Sequence, residues 1–215
     1  MAKRESEICM EELLTWVDEN DDVIGYGEKL RTHELGQLHR AFSLFIYNRY
    51  VQKMLIHRRA DGKYHSGGLW TNSCCSHPRK GEELREAVIR RMREELGIDL
   101  ADSGYGNEAE LINGLAEIGK FRYYHNYGRY SEYEIDHVFY LPIRKEKVEL
   151  MIDRDEISEI KWISVADLKD WVAISPADFT AWFHTAFDMV CKKMQEDEGL
   201  VLRRDVNAGE KENSV

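Results

Sequence analysis

The chain has 215 residues, 43% of them apolar, and a formal net charge of -10 at pH 7. That apolar content suffices for a full mixed α/β core, whereas the acidic balance argues against the basic surface that general nucleic-acid binding needs. No apolar run approaches the roughly 18 to 20 residues of a membrane span, and the first residues lack a signal-peptide core, so a cytoplasmic protein without a membrane partner is expected.

In chain order, Leu13 to Asp18 and Val23 to Gly27 read as strands around Glu19-Asn20-Asp21-Asp22, whose Asn and Asp residues suit a tight reversal. Arg40 to Tyr47 and Lys53 to Arg59 form a second strand pair, and Gly67-Gly68 a sharp turn. Glu82 to Leu96 places Leu84, Val88, Met92 and Leu96 at steps of four, which predicts an amphipathic helix stopped by Gly97. Ala109 to Tyr123 and Glu132 to Ile143 are expected as long strands separated by the loop Tyr124 to Tyr130. A short strand, Glu159 to Ile163, precedes a helix from Val165 to Trp171, and a last helix runs from about Ala177 to Glu196. One domain is expected over residues 1–200, with a polar, disordered tail over 201–215.

Three patterns carry chemistry. Cys75 and His77 sit two apart just before the central helix, where a thiol proton donor and an imidazole ligand could share a site, although a packed thiol beside an unrelated histidine gives the same triplet. Of the four cysteines, Cys74 and Cys75 are adjacent while Cys9 and Cys191 lie near the two ends, a poor disulfide framework, so reduced thiols are expected. Glu132 and Glu134 point to one face of a strand, an arrangement tolerated when both face water or when a cation binds them. Arg58, Arg59, Lys63, Arg79, Lys80, Arg90, Arg91 and Arg93 concentrate positive charge in one segment of an acidic chain, as a pocket for a small anion would, or as solvated surface charges would.

The run Thr71-Asn72-Ser73-Cys74-Cys75-Ser76-His77-Pro78, with Gly81-Glu82 and a helix ending Arg93-Glu94-Glu95-Leu96-Gly97-Ile98, closely resembles type 1 isopentenyl diphosphate isomerase, a metal-dependent branch of the Nudix superfamily. The resemblance spans about residues 12 to 185 and implies a Nudix-type α/β fold, a mixed β-sheet flanked by helices. Against the usual Arg-Glu-hydrophobic-any-Glu-Glu pattern, Arg90 to Glu95 carries Arg91 in place of the first glutamate, while Glu82 is retained upstream. A cation there should weaken multi-metal hydrolysis, and Arg91 suits a phosphate, or else faces solvent.

The resemblance further implies an activity that converts isopentenyl diphosphate to dimethylallyl diphosphate, with a small-molecule substrate as partner. It carries Cys75 and Glu134 over as an acid/base pair, Tyr123 as an assistant in protonation and Trp182 as an aromatic cover over the hydrocarbon. It implies one divalent ion held by His33, His39, His77, Glu132 and Glu134, a donor set that suits Mn²⁺ or Zn²⁺. His33 and His39 are spaced by six, one fewer than in the family pattern, a difference the intervening loop must absorb. Lys29, Arg59, Lys63 and Arg91 fall on diphosphate contacts, and Glu95 on a second ion, Mg²⁺, that enters with the diphosphate. His57, His65, His125, His137 and His184 match no motif position. A Nudix hydrolase of a nucleoside or prenyl diphosphate, or a non-catalytic Nudix module, are the alternatives.

Overall fold

The computed structural model describes residues 13–196; the expected tail and Cys9 lie outside them. Nine strands among the described residues form one mixed sheet. The hairpin β1 (Leu14–Val17) and β2 (Val23–Gly27) turns through Asp18, whose carboxylate accepts from the backbone N–H of Asn20 and Asp22. The central strand β3 (His39–Asn48) pairs antiparallel with β1, with β4 (Lys53–Arg59) and with β6 (Cys74–Ser76), and parallel with β8 (Ser131–Ile143). Beyond these, β7 (Ala116–Asn126) pairs with β8, and β4 pairs with both β5 (Trp70–Thr71) and β9 (Ile157–Ser164).

Alternation along the central strands splits the core in two. Phe42, Leu44 and Ile46 of β3 and Phe139, Leu141 and Ile143 of β8 face α2 (Leu84–Leu96), which contributes Val88, Met92 and Leu96. Phe45, Val138 and Tyr140 point the other way, onto α5 (Val165–Ile174) and a helix over residues 183–196, α6, which supplies Phe183, Phe187 and Val190. The stop at Gly97 is steric as well as conformational, because the residue has φ +68° and a Cβ there would lie 2.7 Å from that of Met151.

Several expected boundaries are corrected. Residues 108–114 are helix α4 (Glu108–Gly114), not the start of a strand: Asn107 caps it by accepting from the Glu110 N–H, a start signal that outweighs the apolar Leu111-Ile112 pair. Strand β7 therefore begins at Ala116 and runs on to Asn126, three residues into the expected loop. The last helix starts at 183, not near 177, since Pro176–Asp178 is a 3-10 turn and Phe179 and Thr180 bond to Trp70. Trp182 thus precedes the helix. Two short polar helices, α1 (Lys29–Leu35) and α3 (Leu100–Ser103), have no counterpart in the sequence reading.

Met92 is fully buried under the sheet, so Met92→Ala removes packed atoms from the middle of the α2 interface. Chemical denaturation should show a loss of about 2 to 5 kcal/mol. A loss below about 0.5 kcal/mol, the range of surface substitutions, would contradict this packing.

Candidate active site

The face of β8 that buries Val138 and Tyr140 continues toward its start with Asp136, Glu134 and Glu132, all at most 5% exposed. Register sets their neighbours. His39 of β3 lies beside Glu134, Tyr123 of β7 lies opposite it, and Cys75 of β6 pairs with Ser43 of β3. Alternation along β6 turns Cys74 into the α2 core and leaves Cys75 at the pocket.

His33, His39, His77 and Glu134 converge, with ligand atoms all within 4.8 Å of one another. The His33 and His39 Nδ1–H groups donate to the Lys29 and Gln37 carbonyls, at 2.7 and 2.8 Å, which leaves each Nε2 a bare lone pair. The His33 Nε2 is buried without a partner. The His39 and His77 Nε2 atoms stand 3.2 Å apart, and Glu134 Oε1 is 3.2 and 2.9 Å from them. Lone pairs facing one another around a carboxylate are what a divalent cation would satisfy, so this donor set fits one, and three imidazoles favour a borderline transition metal over Ca²⁺. Between His33 and His39, α1 ends in a left-handed Gly36, which turns the chain into β3.

Glu132 stands beside this group and is not among its four converging ligands. Its Oε1 accepts from His65 Nε2 at 2.8 Å, while Oε2 lies 2.6 Å from the Tyr123 hydroxyl, which is also 2.6 Å from Glu134 Oε2. His65, which matches no motif, thus lines the pocket with Cys75, Tyr123 and Trp182. Asp136 lines it too, accepting from Ser43 Oγ at 2.7 Å, with Oδ1 unpartnered. The only sequence signal for Asp136 was the period-two continuation of Glu132 and Glu134; His65 had none. Of the remaining histidines, His57 bonds the Ser73 carbonyl in the core and His137 is clamped between Asp21 and Glu117.

Environment sets the protonation states apart. Burial pushes the Cys75 thiol up to about 12, only partly opposed by Arg59, whose Nη1 approaches Sγ at 3.8 Å. Burial also raises Glu134, but the contacts of its Oε1 with the His39 and His77 rings outweigh it and hold the carboxylate well below its usual range. A protonated thiol and an ionised carboxylate therefore line one pocket. Trp182 roofs it, with its Nε1–H donating to Asn72 at 3.2 Å and the Arg59 guanidinium 5.4 Å from the ring.

Arg59, Lys63 and Arg91 gather with Lys29 around a second group. Arg91 pairs with Glu94 and Glu95 of its own helix, and its Nη2 is 3.5 Å from Glu156, which also pairs with Lys63. Lys29 feels Glu156 as attraction and Lys63, Arg91 and Arg59 as repulsion. The other cations of that segment disperse: Arg90 binds Glu82, Arg93 binds Glu108 and Arg58 binds Asp61.

Residues 37–183 match the NUDIX domain family, and solved folds agree. A crystal structure of DR0079 from Deinococcus radiodurans superposes with a TM-score of 0.54 at 22% identity, covering 76% of this chain and 90% of that one. A MutT protein from Methanosarcina mazei gives 0.53 at 17%, covering 73% and 94%. Fold and site define a Nudix protein with a modified helix. Among curated relatives, isopentenyl-diphosphate Delta-isomerase 2 of Photorhabdus laumondii is 40% identical over 81% of this chain and 89% of its own. The isopentenyl-diphosphate Delta-isomerase of Photobacterium profundum is 38% identical over 87% and 98%. The chain belongs to the isopentenyl-diphosphate Delta-isomerase family. Among the described residues no helix is long and apolar enough to cross a membrane.

Burial lowers His33 and His77 from 6.5 to about 3, so both imidazoles stay neutral well into acid. Metal loaded at neutral pH should therefore be retained on dialysis at pH 5 and lost only lower, as elemental analysis would show. In the metal-free protein an unfolded chain takes up protons that these imidazoles refuse, so stability should fall as pH drops from about 6.5 toward about 3. Release complete at pH 6 would mean that the imidazoles titrate normally.

Proposed function

We propose that the chain converts isopentenyl diphosphate to dimethylallyl diphosphate, with Cys75 as the acid that protonates the alkene and Glu134 as the base that removes a proton from the neighbouring carbon. The observation that carries this reading is the pair itself: one buried pocket is lined by a thiol held protonated and a carboxylate held ionised. Arg59, 3.8 Å from the sulfur, would stabilise the thiolate left after proton transfer. The Trp182 face would meet the carbocation by cation–π attraction, and its burial at 3% exposure would keep out water that could trap it. Tyr123 lies 2.6 Å from both Glu132 and Glu134 and, with one proton to donate, can shift between them as Glu134 gains charge or loses it.

His33, His39, His77 and Glu134 would hold the divalent ion, with Glu132 adjoining, and Mn²⁺ or Zn²⁺ suits the donors. When bound, the ion supplies fixed positive charge that keeps Glu134 ionised and oriented. Lys29, Arg59, Lys63 and Arg91 would take the diphosphate, with Glu95 facing the Mg²⁺ that accompanies it. The cytoplasm is our reading of where the chain acts.

Cys75→Ala and Glu134→Gln should each lower turnover by at least about 10²-fold, the value of a positioned proton-transfer group, while Cys74→Ala, which faces the core, should be mild. Incorporation of deuterium from heavy water into isopentenyl diphosphate reads the proton transfer directly. Near-normal exchange in Cys75→Ala would remove the thiol from the mechanism. Arg91→Glu should raise KM roughly tenfold or more through lost charge-assisted bonding, without release of phosphate or pyrophosphate. Appearance of hydrolysis products would mean that the helix still works as a hydrolase.

A further inference from the structure

We propose that Glu156 is an internal stand-in for the substrate's diphosphate: it holds Lys63 and Arg91 in the free protein, yields them when the diphosphate arrives, and so sets how tightly the anion binds. The inference rests on the diphosphate reading of the cationic group. Glu156 belongs to neither the acid/base pocket nor the converging histidines. Its position is fixed from the backbone, since its carbonyl accepts from the Ala60 N–H at 2.9 Å and its own N–H donates to Asp153. From there the side chain reaches across to pair with Lys63 through one oxygen and to stand 3.5 Å from Arg91 Nη2 through the other.

Four cations converging without an anion would repel one another. Glu95 already occupies part of Arg91 from within the helix, and it is 2% exposed and walled in by Cys74 and Arg91, so it cannot swing away. Glu156 differs. Its side chain is 28% exposed and lies at the end of the segment between β8 and β9, where a carboxylate can turn to water when displaced. Each of its oxygens faces a different cation, so one carboxylate spans two positive groups as two phosphoryl groups would. A diphosphate that takes both cations must displace this carboxylate or sit against its negative charge, and either course weakens binding. A dedicated competitor of this kind keeps Lys63 and Arg91 extended and ready while preventing the four cations from retaining every passing anion, including the product.

Inorganic pyrophosphate, titrated calorimetrically into the full chain at pH 7 with Mg²⁺ present, tests the idea. Wild-type protein should bind it, and Glu156→Gln, which keeps shape and removes charge, should bind it roughly tenfold more tightly, with KM for isopentenyl diphosphate falling further than kcat changes. A purely structural partner of Lys63 would give the opposite sign, because its loss would let the lysine wander and weaken binding. Unchanged or weaker pyrophosphate binding in Glu156→Gln, with wild-type binding intact, overturns the stand-in role alone. Absence of pyrophosphate binding by the wild type overturns the diphosphate reading beneath it. Glu156→Ala in the same titration carries the test if the glutamine variant does not fold.

Discussion

A strand face cannot be apolar at one end and carboxylate-lined at the other without something to hold the carboxylates, and β8 sets this condition for the whole molecule. Val138 and Tyr140 anchor it in the core, and the same alternation brings Asp136, Glu134 and Glu132 into burial beside them. Residues two apart on a strand lie about 6.6 Å from one another. At that spacing two unit charges repel by about 2.5 kcal/mol with an effective dielectric near 20. Most of what surrounds the row reads as an answer to that repulsion. His39 and His77 meet Glu134, His65 and Tyr123 meet Glu132, and Ser43 meets Asp136, whose carboxyl is pushed well above its ordinary range by burial and by Glu134. An ionised Glu134 beside a neutral Asp136 is easier to bury than two adjacent anions.

The same logic separates a protonated thiol from an ionised carboxylate across the pocket. Desolvation raises both the half-buried Cys75 and the buried Glu134, and alone would leave each neutral. What separates them is the company each keeps: two imidazoles crowd Glu134, with His77 Nε2 at 2.9 Å and His39 Nε2 at 3.2 Å, whereas Cys75 has only a guanidinium at 3.8 Å, too weak to ionise it. Adjacent Cys74 shows that position, not residue type, makes this difference. One step along β6 it turns to the opposite face and packs against α2, with its thiol pushed well above the usual value.

Elements whose side chains repeat with the period of a strand or helix were legible from the sequence: the β1–β2 hairpin, β3, β4, β8 and α2 fall close to where alternation and the four-residue step put them. The converging histidines and Glu134 were reached only through resemblance to a family, because no local period links residue 33 to 77 or 134. Helix α4 was misread since its two apolar residues are adjacent and its start is written in a capping pair, Asn107 and Glu110, that competes poorly with hydrophobicity. His65 and Glu156 were invisible for a related reason. Each sits in a segment without regular periodicity, and its importance comes from partners 67 and 65 residues away, Glu132 and Arg91. Loop residues are placed by the scaffold, and their sequence neighbours say little about their contacts.

On the proposed reading, the central helix presents cations to a diphosphate in place of a cluster of carboxylates. A multi-metal site needs free carboxylate oxygens converging from one helix. Here every acidic residue of the corresponding pattern is already committed to an arginine: Glu82 to Arg90 at 2.6 Å, Glu94 to Arg90 and Arg91 at 3.0 and 2.9 Å, and Glu95 to Arg91. Arg91 is decisive because it stands four residues before Glu95, the spacing at which helical side chains meet, so it neutralises the most buried of these acids. Assembling several metal ions there would require breaking those pairs and leaving a guanidinium among cations. Receiving a diphosphate requires only that guanidinium nitrogens exchange one oxyanion for another, and the ion pairs keep them oriented until it does.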